Sequence, residues 1–180
     1  MAAASKEHEA RNGAPSTASK GNIMTQAARI NDFYHAAPAS LQAMIALSTS
    51  VKKSSLGIRL VELVNLRISQ INGCGVCIDM HWRDLIKQGT DPRHVNAIGG
   101  WREAPPSFFS ASERAALNWA EAANALPHQQ PSDDDFAQLK AHFDDNQIIE
   151  LSYGIAVIRG WNVINASLHN QIPEVPAPGF

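Results

Sequence analysis

Residues 56–88 contain the pattern that most restricts how this chain can fold. The first half of this segment is apolar around most of its circumference, and its polar residues recur every three or four positions: Arg59, Glu62, Asn65, Ser69 and Asn72. This spacing predicts a mostly buried helix with one polar seam. The pair Asn72-Gly73 ends that helix, and the pattern predicts a second helix over residues 74–88.

The other periodic segments are also typical of helices. Caps or first-turn prolines open four of them at Pro38, Asp91-Pro92, Ser110 and Ser132, and a long helix follows Asp144 or Asp145 and runs to about His169. No segment alternates apolar and polar residues over a convincing length, and no repeat is visible. The sequence therefore predicts an all-α fold, a bundle of roughly six to eight helices.

Composition favours a single domain. The chain has 180 residues, of which 44% are apolar, with 15 Lys and Arg against 17 Asp and Glu. We expect a helical domain over residues 23–172, a disordered tail over 1–22 and a Pro-rich tail over 173–180. The charge balance predicts neither a nucleic-acid partner nor a membrane surface, and two charges and two glycines in the last helix argue against a membrane span. Residues 1–20 lack the apolar core of a secretory signal, so a cytoplasmic location is the expectation.

The two cysteines of the chain, Cys74 and Cys77, lie three residues apart, and His81 follows one turn later. Their spacing puts all three side chains on one stripe of the second helix. Such a close pair is typical of redox or metal chemistry in a reducing compartment. Cys74 lies at the helix start, where free N–H groups favour a thiolate, and His81 is positioned to accept the proton of Cys77.

A histidine base usually requires a third group that fixes its tautomer, and Glu62, in the polar seam, is the best candidate. If the Cys77 thiolate attacks a peroxide oxygen, the sulfenic acid that forms can condense with Cys74 to give a disulfide. An outside reductant must then reopen that disulfide. The residues thus predict a Glu, His, Cys relay beside a resolving cysteine.

The interval from Glu62 to Cys74, Cys77 and His81 resembles the pattern of the AhpD-like alkylhydroperoxidase group of the carboxymuconolactone decarboxylase superfamily. The resemblance implies an all-helical protomer that forms a homotrimer or homohexamer and needs no cofactor. It also implies a peroxidase that takes electrons from a thiol donor, such as a thioredoxin-like or lipoyl-bearing protein. Cys77 would be the peroxidatic sulfur and Cys74 the resolving one. The best-known members have a histidine between the two cysteines, whereas this chain has Gly75-Val76.

Three other interpretations of the same residues remain. A dithiol oxidoreductase would act on protein or lipoyl disulfides with the same residues but a different electrophile. A zinc site would use Cys74, Cys77 and His81, with Glu62 or water as the fourth ligand. The two cysteines could also be buried structural thiols. Trp82, next to His81, is a candidate wall of the site.

Overall fold

The computed structural model describes residues 27–175, which form eight α-helices and one short 3-10 helix. The α-helices are α1 (Phe33–Ala36), α2 (Pro38–Lys52), α3 (Ile58–Asn72), α4 (Gly75–Lys87), α5 (Pro92–Ala97), α6 (Ala111–Asn124), α7 (Asp133–Lys140) and α8 (Asp145–Ser167). The 3-10 turn Ile98–Gly100 continues α5. Within residues 27–175 there is no β-strand, and the predicted all-α fold is confirmed. The predicted tail at 1–22, residues 23–26 and residues 176–180 lie outside the described residues.

Local capping explains where three of the helices begin. Ser110, Ser132 and Asp144 each accept a hydrogen bond from the backbone N–H three residues later. The side chain at that third position accepts in return from the backbone N–H of the cap residue, which completes a capping box. Asp144 is therefore the cap of α8, and the helix begins at Asp145. The short helix α1 is the element that the periodicity did not predict, because four residues contain no full amphipathic repeat.

Helix α3 lies at the centre of the bundle and packs against α4, α6 and α8. Its buried residues include the apolar side chains of Leu63, Leu66 and Ile68, none of which is more than 1% exposed. Gly73 follows α3 with φ 70°, a left-handed conformation that glycine adopts without strain. This tight turn folds α4 back along α3, so that the middle of the polar seam faces the cysteine helix.

A network of asparagines joins the C-terminal end of α3 to two other helices. The Nδ2 group of Asn72 donates to Oδ1 of Asn124 at 3.1 Å and to Oδ1 of Asn162 at 2.9 Å. Nδ2 of Asn162 in turn donates to Oγ of Ser69 at 3.0 Å. Because Asn72 is only two residues before Cys74, this network fixes the helix end from which the cysteine pair begins.

None of the helices between residues 27 and 175 is both long enough and apolar enough to cross a bilayer. The longest, α8, carries Glu150 and Arg159, as the sequence indicated.

Candidate active site

The cysteine pair lies at the start of α4. Cys74 is the N-cap residue, and its Sγ accepts a hydrogen bond from the backbone N–H of Cys77 at 3.3 Å. The two sulfurs are joined in a disulfide. Both residues are only 1% exposed, so any reactant must reach them through a cavity rather than from the open surface.

Behind the disulfide, His81 and Glu62 form a buried pair. Nδ1 of His81 lies 2.6 Å from Oε2 of Glu62, and the two side chains are 3% and 0% exposed. The structure thus brings together the two residues that the sequence proposed as a relay. Arg59 belongs to the same polar seam but has a different partner, because its Nε donates to Oε1 of Glu113 at 2.7 Å.

Lys52, at the end of α2, extends this pair into a four-residue cluster. Its Nζ lies 2.9 Å from Oε1 of Glu62 and 3.3 Å from Oδ2 of Asp84. Sequence reasoning missed Lys52 and Asp84, because an isolated lysine and aspartate 32 residues apart give no periodic signal that they meet.

The cluster keeps the Glu62 carboxylate ionised. Burial alone would raise the pKa of Glu62, but the hydrogen bond and charge of His81, together with the charge of Lys52, lower that pKa below its usual value. Burial would likewise lower the pKa of Lys52, yet Glu62 and Asp84 raise it above its usual value. Glu62 is therefore held as an anion that can orient the His81 ring and stabilise an imidazolium.

Cys77 and His81 line the same inner cavity, which has a volume of about 70 Å³. Its walls are mostly apolar, with residues from α1, α2, α3, α4 and α8: Phe33, Ile45, Val51, Val61, Val76, Met80, Val157, Ile158 and Trp161. Tyr34, which is 59% exposed, also lines the cavity. Two buried polar atoms of cavity-lining residues have no hydrogen-bond partner, namely Nε2 of His81 and Oδ1 of Asn65. A hydroxyl group bound here could donate its hydrogen to one of these two atoms.

Cys74 lines a different, outer cavity of about 350 Å³, on the side of the disulfide formed by the end of α8 and the residues after it. Its lining is more polar and includes His169, Asn170 and Gln171. Asn165 lines both cavities, and its Nδ2 donates to Sγ of Cys77 at 3.6 Å. Asn165 was also missed, because it is 88 residues away from Cys77 in the chain.

The donor atoms at this site favour an ammonium group over a metal ion. Oxygen or nitrogen atoms of Glu62, His81 and Asp84 all lie within 4.8 Å of one another. However, the Lys52 ammonium already contacts both carboxylates, and a metal ion there would face its positive charge. In the disulfide state, the predicted zinc set offers no thiolate, because its two sulfurs are bonded to each other.

The proposed role of Trp82 as a wall of the site is wrong. Trp82 is 43% exposed and lines neither cavity. Trp161 lines the inner cavity instead, and its Nε1 donates to Oγ of Ser48 on α2 at 2.9 Å.

An all-helical fold with a disulfide at the N-terminus of one helix, backed by a histidine of the same helix and a glutamate of its neighbour, defines the class of AhpD-like helical proteins. Residues 38–122 match the model of the carboxymuconolactone decarboxylase family. The chain is 32% identical to the protein YdfG of Bacillus subtilis over 139 residues, which cover 77% of this chain and 93% of that protein. The chain belongs to the AhpD-like group of the carboxymuconolactone decarboxylase superfamily.

Two further relatives carry the AhpD name. One is a protein of Agrobacterium tumefaciens that is named as a candidate antioxidant defence protein AhpD and has a crystal structure. It is 35% identical to this chain, with a TM-score of 0.78, and the match covers 83% of this chain and 100% of that one. The alkyl hydroperoxide reductase AhpD of Maricaulis maris is 39% identical over 67 residues, which cover 37% of this chain and 36% of that protein. These names suggest a peroxidase-related role for the group.

Proposed function

We propose that this protein is a thiol-dependent peroxidase that reduces hydrogen peroxide or organic hydroperoxides through Cys77 and Cys74. The observation that supports this most is that Cys77 and the buried His81 line the same cavity. Glu62 holds Nδ1 of His81, and Nε2 of the same ring has no hydrogen-bond partner. A histidine held in this way has its second nitrogen available for proton transfer.

In the reduced protein, Nδ1–H of His81 donates to Glu62, and Nε2 accepts the thiol proton of Cys77. The thiolate attacks the terminal oxygen of the hydroperoxide, so an S–O bond forms as the O–O bond breaks. Nε2 returns the proton to the departing alkoxide. Cys77 ends as a sulfenic acid, and the hydroperoxide leaves as an alcohol, or as water if the substrate is hydrogen peroxide.

The Cys74 thiol then attacks the sulfenic sulfur, and water leaves as the disulfide forms. The disulfide in the structure corresponds to this oxidised state. Two thiols of a donor, in a thioredoxin-like or lipoyl-bearing protein, would reduce it and become a disulfide themselves. The outer cavity beside Cys74 is where such a donor would approach. We place this cycle in the reducing cytoplasm, in a homotrimer or homohexamer, without a resident cofactor.

The test is peroxide consumption with a panel of thiol donors. Cys77→Ser and His81→Phe are expected to abolish turnover, whereas Cys74→Ser should complete one round and then accumulate a sulfenic acid that a dimedone-type reagent traps. His94→Phe is the matched histidine control, because His94 stacks on Phe108, away from both cavities. If Cys77→Ser consumes peroxide as fast as the unmodified protein, the proposal is wrong.

A dithiol–disulfide oxidoreductase is the second candidate. The outer cavity supports it, because it lies beside the sulfur that a partner thiol or disulfide would meet. Stopped-flow oxidation of the reduced protein separates the two functions. A peroxidase reacts faster with a hydroperoxide than with a lipoyl disulfide at equal concentration, and an oxidoreductase shows the reverse order.

A further inference from the structure

Asn165, near the end of α8, is a polar side chain that reaches both sides of the disulfide. It lines the inner cavity with Cys77 and the outer cavity with Cys74. Its Nδ2 donates to Sγ of Cys77 at 3.6 Å. Nothing in the relay of Glu62 and His81 requires this contact, so it needs an explanation of its own.

The orientation of the Asn165 amide is fixed by Asn170. Nδ2 of Asn170 donates to Oδ1 of Asn165 at 2.9 Å. An amide whose oxygen is engaged as an acceptor must present its NH2 group elsewhere, and here that group faces the sulfur of Cys77. The backbone N–H of Asn170 also donates to the backbone carbonyl of Asn165 at 3.0 Å, which holds the two residues together.

A disulfide sulfur is a weak hydrogen-bond acceptor, whereas a thiolate carries a full negative charge. Hydrogen bonds to a charged acceptor are roughly twice as strong as neutral ones, so the Asn165 contact strengthens when Cys77 becomes an anion. The amide therefore stabilises the thiolate relative to the disulfide and relative to the neutral thiol.

We propose that Asn165, oriented by Asn170, is the residue that stabilises the Cys77 thiolate. This inference rests on the proposed thiol chemistry and adds a residue to it. The same contact would act twice in the cycle. It would favour the thiolate that attacks the hydroperoxide. It would also stabilise Cys77 as the leaving group when a donor thiolate bonds to Cys74 and the S–S bond breaks, since a better stabilised thiolate leaves faster.

Other titratable groups line the two cavities or pair with a lining residue, and the test must leave them unchanged. They belong to every element that borders the two cavities: Tyr34 on α1, Lys52 on α2, Glu62 on α3, His81 and Asp84 on α4, and His169 after α8.

The experiment measures the ionisation midpoint of Cys77 directly. Because the chain has two cysteines, a Cys74→Ser background leaves Cys77 as the sole thiol, and its ultraviolet thiolate absorbance can be titrated without peroxide. Asn165→Asp replaces the donor by a carboxylate and should raise the midpoint by about one pH unit or more. Asn165→Ala should raise it by about half a unit, and Asn170→Ala by less, because it removes only the restraint on the amide.

Asn146→Asp is the matched control, since Asn146 is exposed near the start of the same helix and should leave the midpoint unchanged. Circular dichroism at each pH confirms that the variants are helical. If the Asn165 and Asn170 variants share the midpoint of the control, the inference is overturned. If the midpoints shift in the expected order but the protein with both cysteines consumes no peroxide, the inference holds and the proposed peroxidase function fails. Should Asn165→Asp not fold, Asn165→Ala and Asn170→Ala still decide the question.

Discussion

Lys52 illustrates what a single residue contributes to this site. Its ammonium group lies between the Glu62 and Asp84 carboxylates and lines the inner cavity with Cys77 and His81. Without it, the fully buried Glu62 would lose one of its charge partners, and an uncompensated buried charge is costly.

Replacing Lys52 tests this electrostatic role. We expect Lys52→Met to lower the free energy of unfolding by about 2 kcal/mol, measured by urea denaturation. Lys53→Met is the control, because Lys53 is exposed, and it should change stability by less than about 0.5 kcal/mol. Equal losses in both variants would contradict the role assigned to Lys52.

Asn65 is a second residue with an expected effect, this time on turnover. Its Oδ1 is buried without a partner and the residue lines the inner cavity, so it is suited to accept a hydrogen bond from a bound hydroperoxide. Asn65→Leu removes that acceptor at similar size, and we expect kcat/KM for the hydroperoxide to fall about tenfold, roughly the loss of one hydrogen bond. Reduction of the disulfide by dithiothreitol should proceed at an unchanged rate. A parallel loss in both rates would instead indicate a general disturbance of the fold.

At the scale of the helices, the asparagine network holds α3, α6 and α8 together beside the cysteine turn. Polar groups are costly inside a core unless they are paired, so each member of the network depends on the others. The sulfurs lie at the joint of α3 and α4, and the network sets the position of that joint.

We expect Asn162→Ala to lower the free energy of unfolding by about 2 kcal/mol, since it removes a partner from both Asn72 and Ser69. Asn96→Ala, at an exposed position on α5, should have little effect. A double-mutant cycle between positions 72 and 162 should give a coupling energy of about 1 kcal/mol. Additive effects would show that the network is not cooperative.

For the whole molecule, ion pairs predict how stability depends on pH. Burial would raise the pKa of Glu121, but Trp101, Arg102 and Arg67 lower it below its usual value. A depressed carboxyl pKa contributes stability above the unfolded value of about 4.3, and this contribution is lost as the pH falls through the folded value. Lys52 has a raised pKa, so its contribution is present below about 10.4 and is lost as the pH rises through the folded value.

Glu121→Gln provides the measurement for the acidic side. The Tm of the unmodified protein should exceed that of the variant by a constant amount above about pH 5, and the gap should close at lower pH. Glu174→Gln, at an exposed position near the end of the described chain, is the control and should show no such closing gap. A gap that widens as the pH falls would contradict the assigned sign.

The features that the sequence determined by itself were local ones, namely the helices and the spacing of the site residues. The period of apolar residues and the caps at Ser110 and Ser132 predicted most helices. The interval between Glu62, Cys74, Cys77 and His81 predicted a relay whose last three residues share one helix stripe. These features depend on neighbours within a few positions, so they can be read from the chain. The family resemblance drawn from that interval is confirmed by the comparisons.

What only the tertiary structure decided was which distant residues meet. Lys52 reaches Glu62 because α2 ends beside α3, and Asn165 reaches Cys77 because α8 crosses the start of α4. The same packing divides the surroundings of the disulfide into an apolar cavity at Cys77 and a polar one at Cys74. No spacing in the sequence encodes these contacts, because they result from how whole helices pack, and packing angles and positions depend on every buried side chain at once.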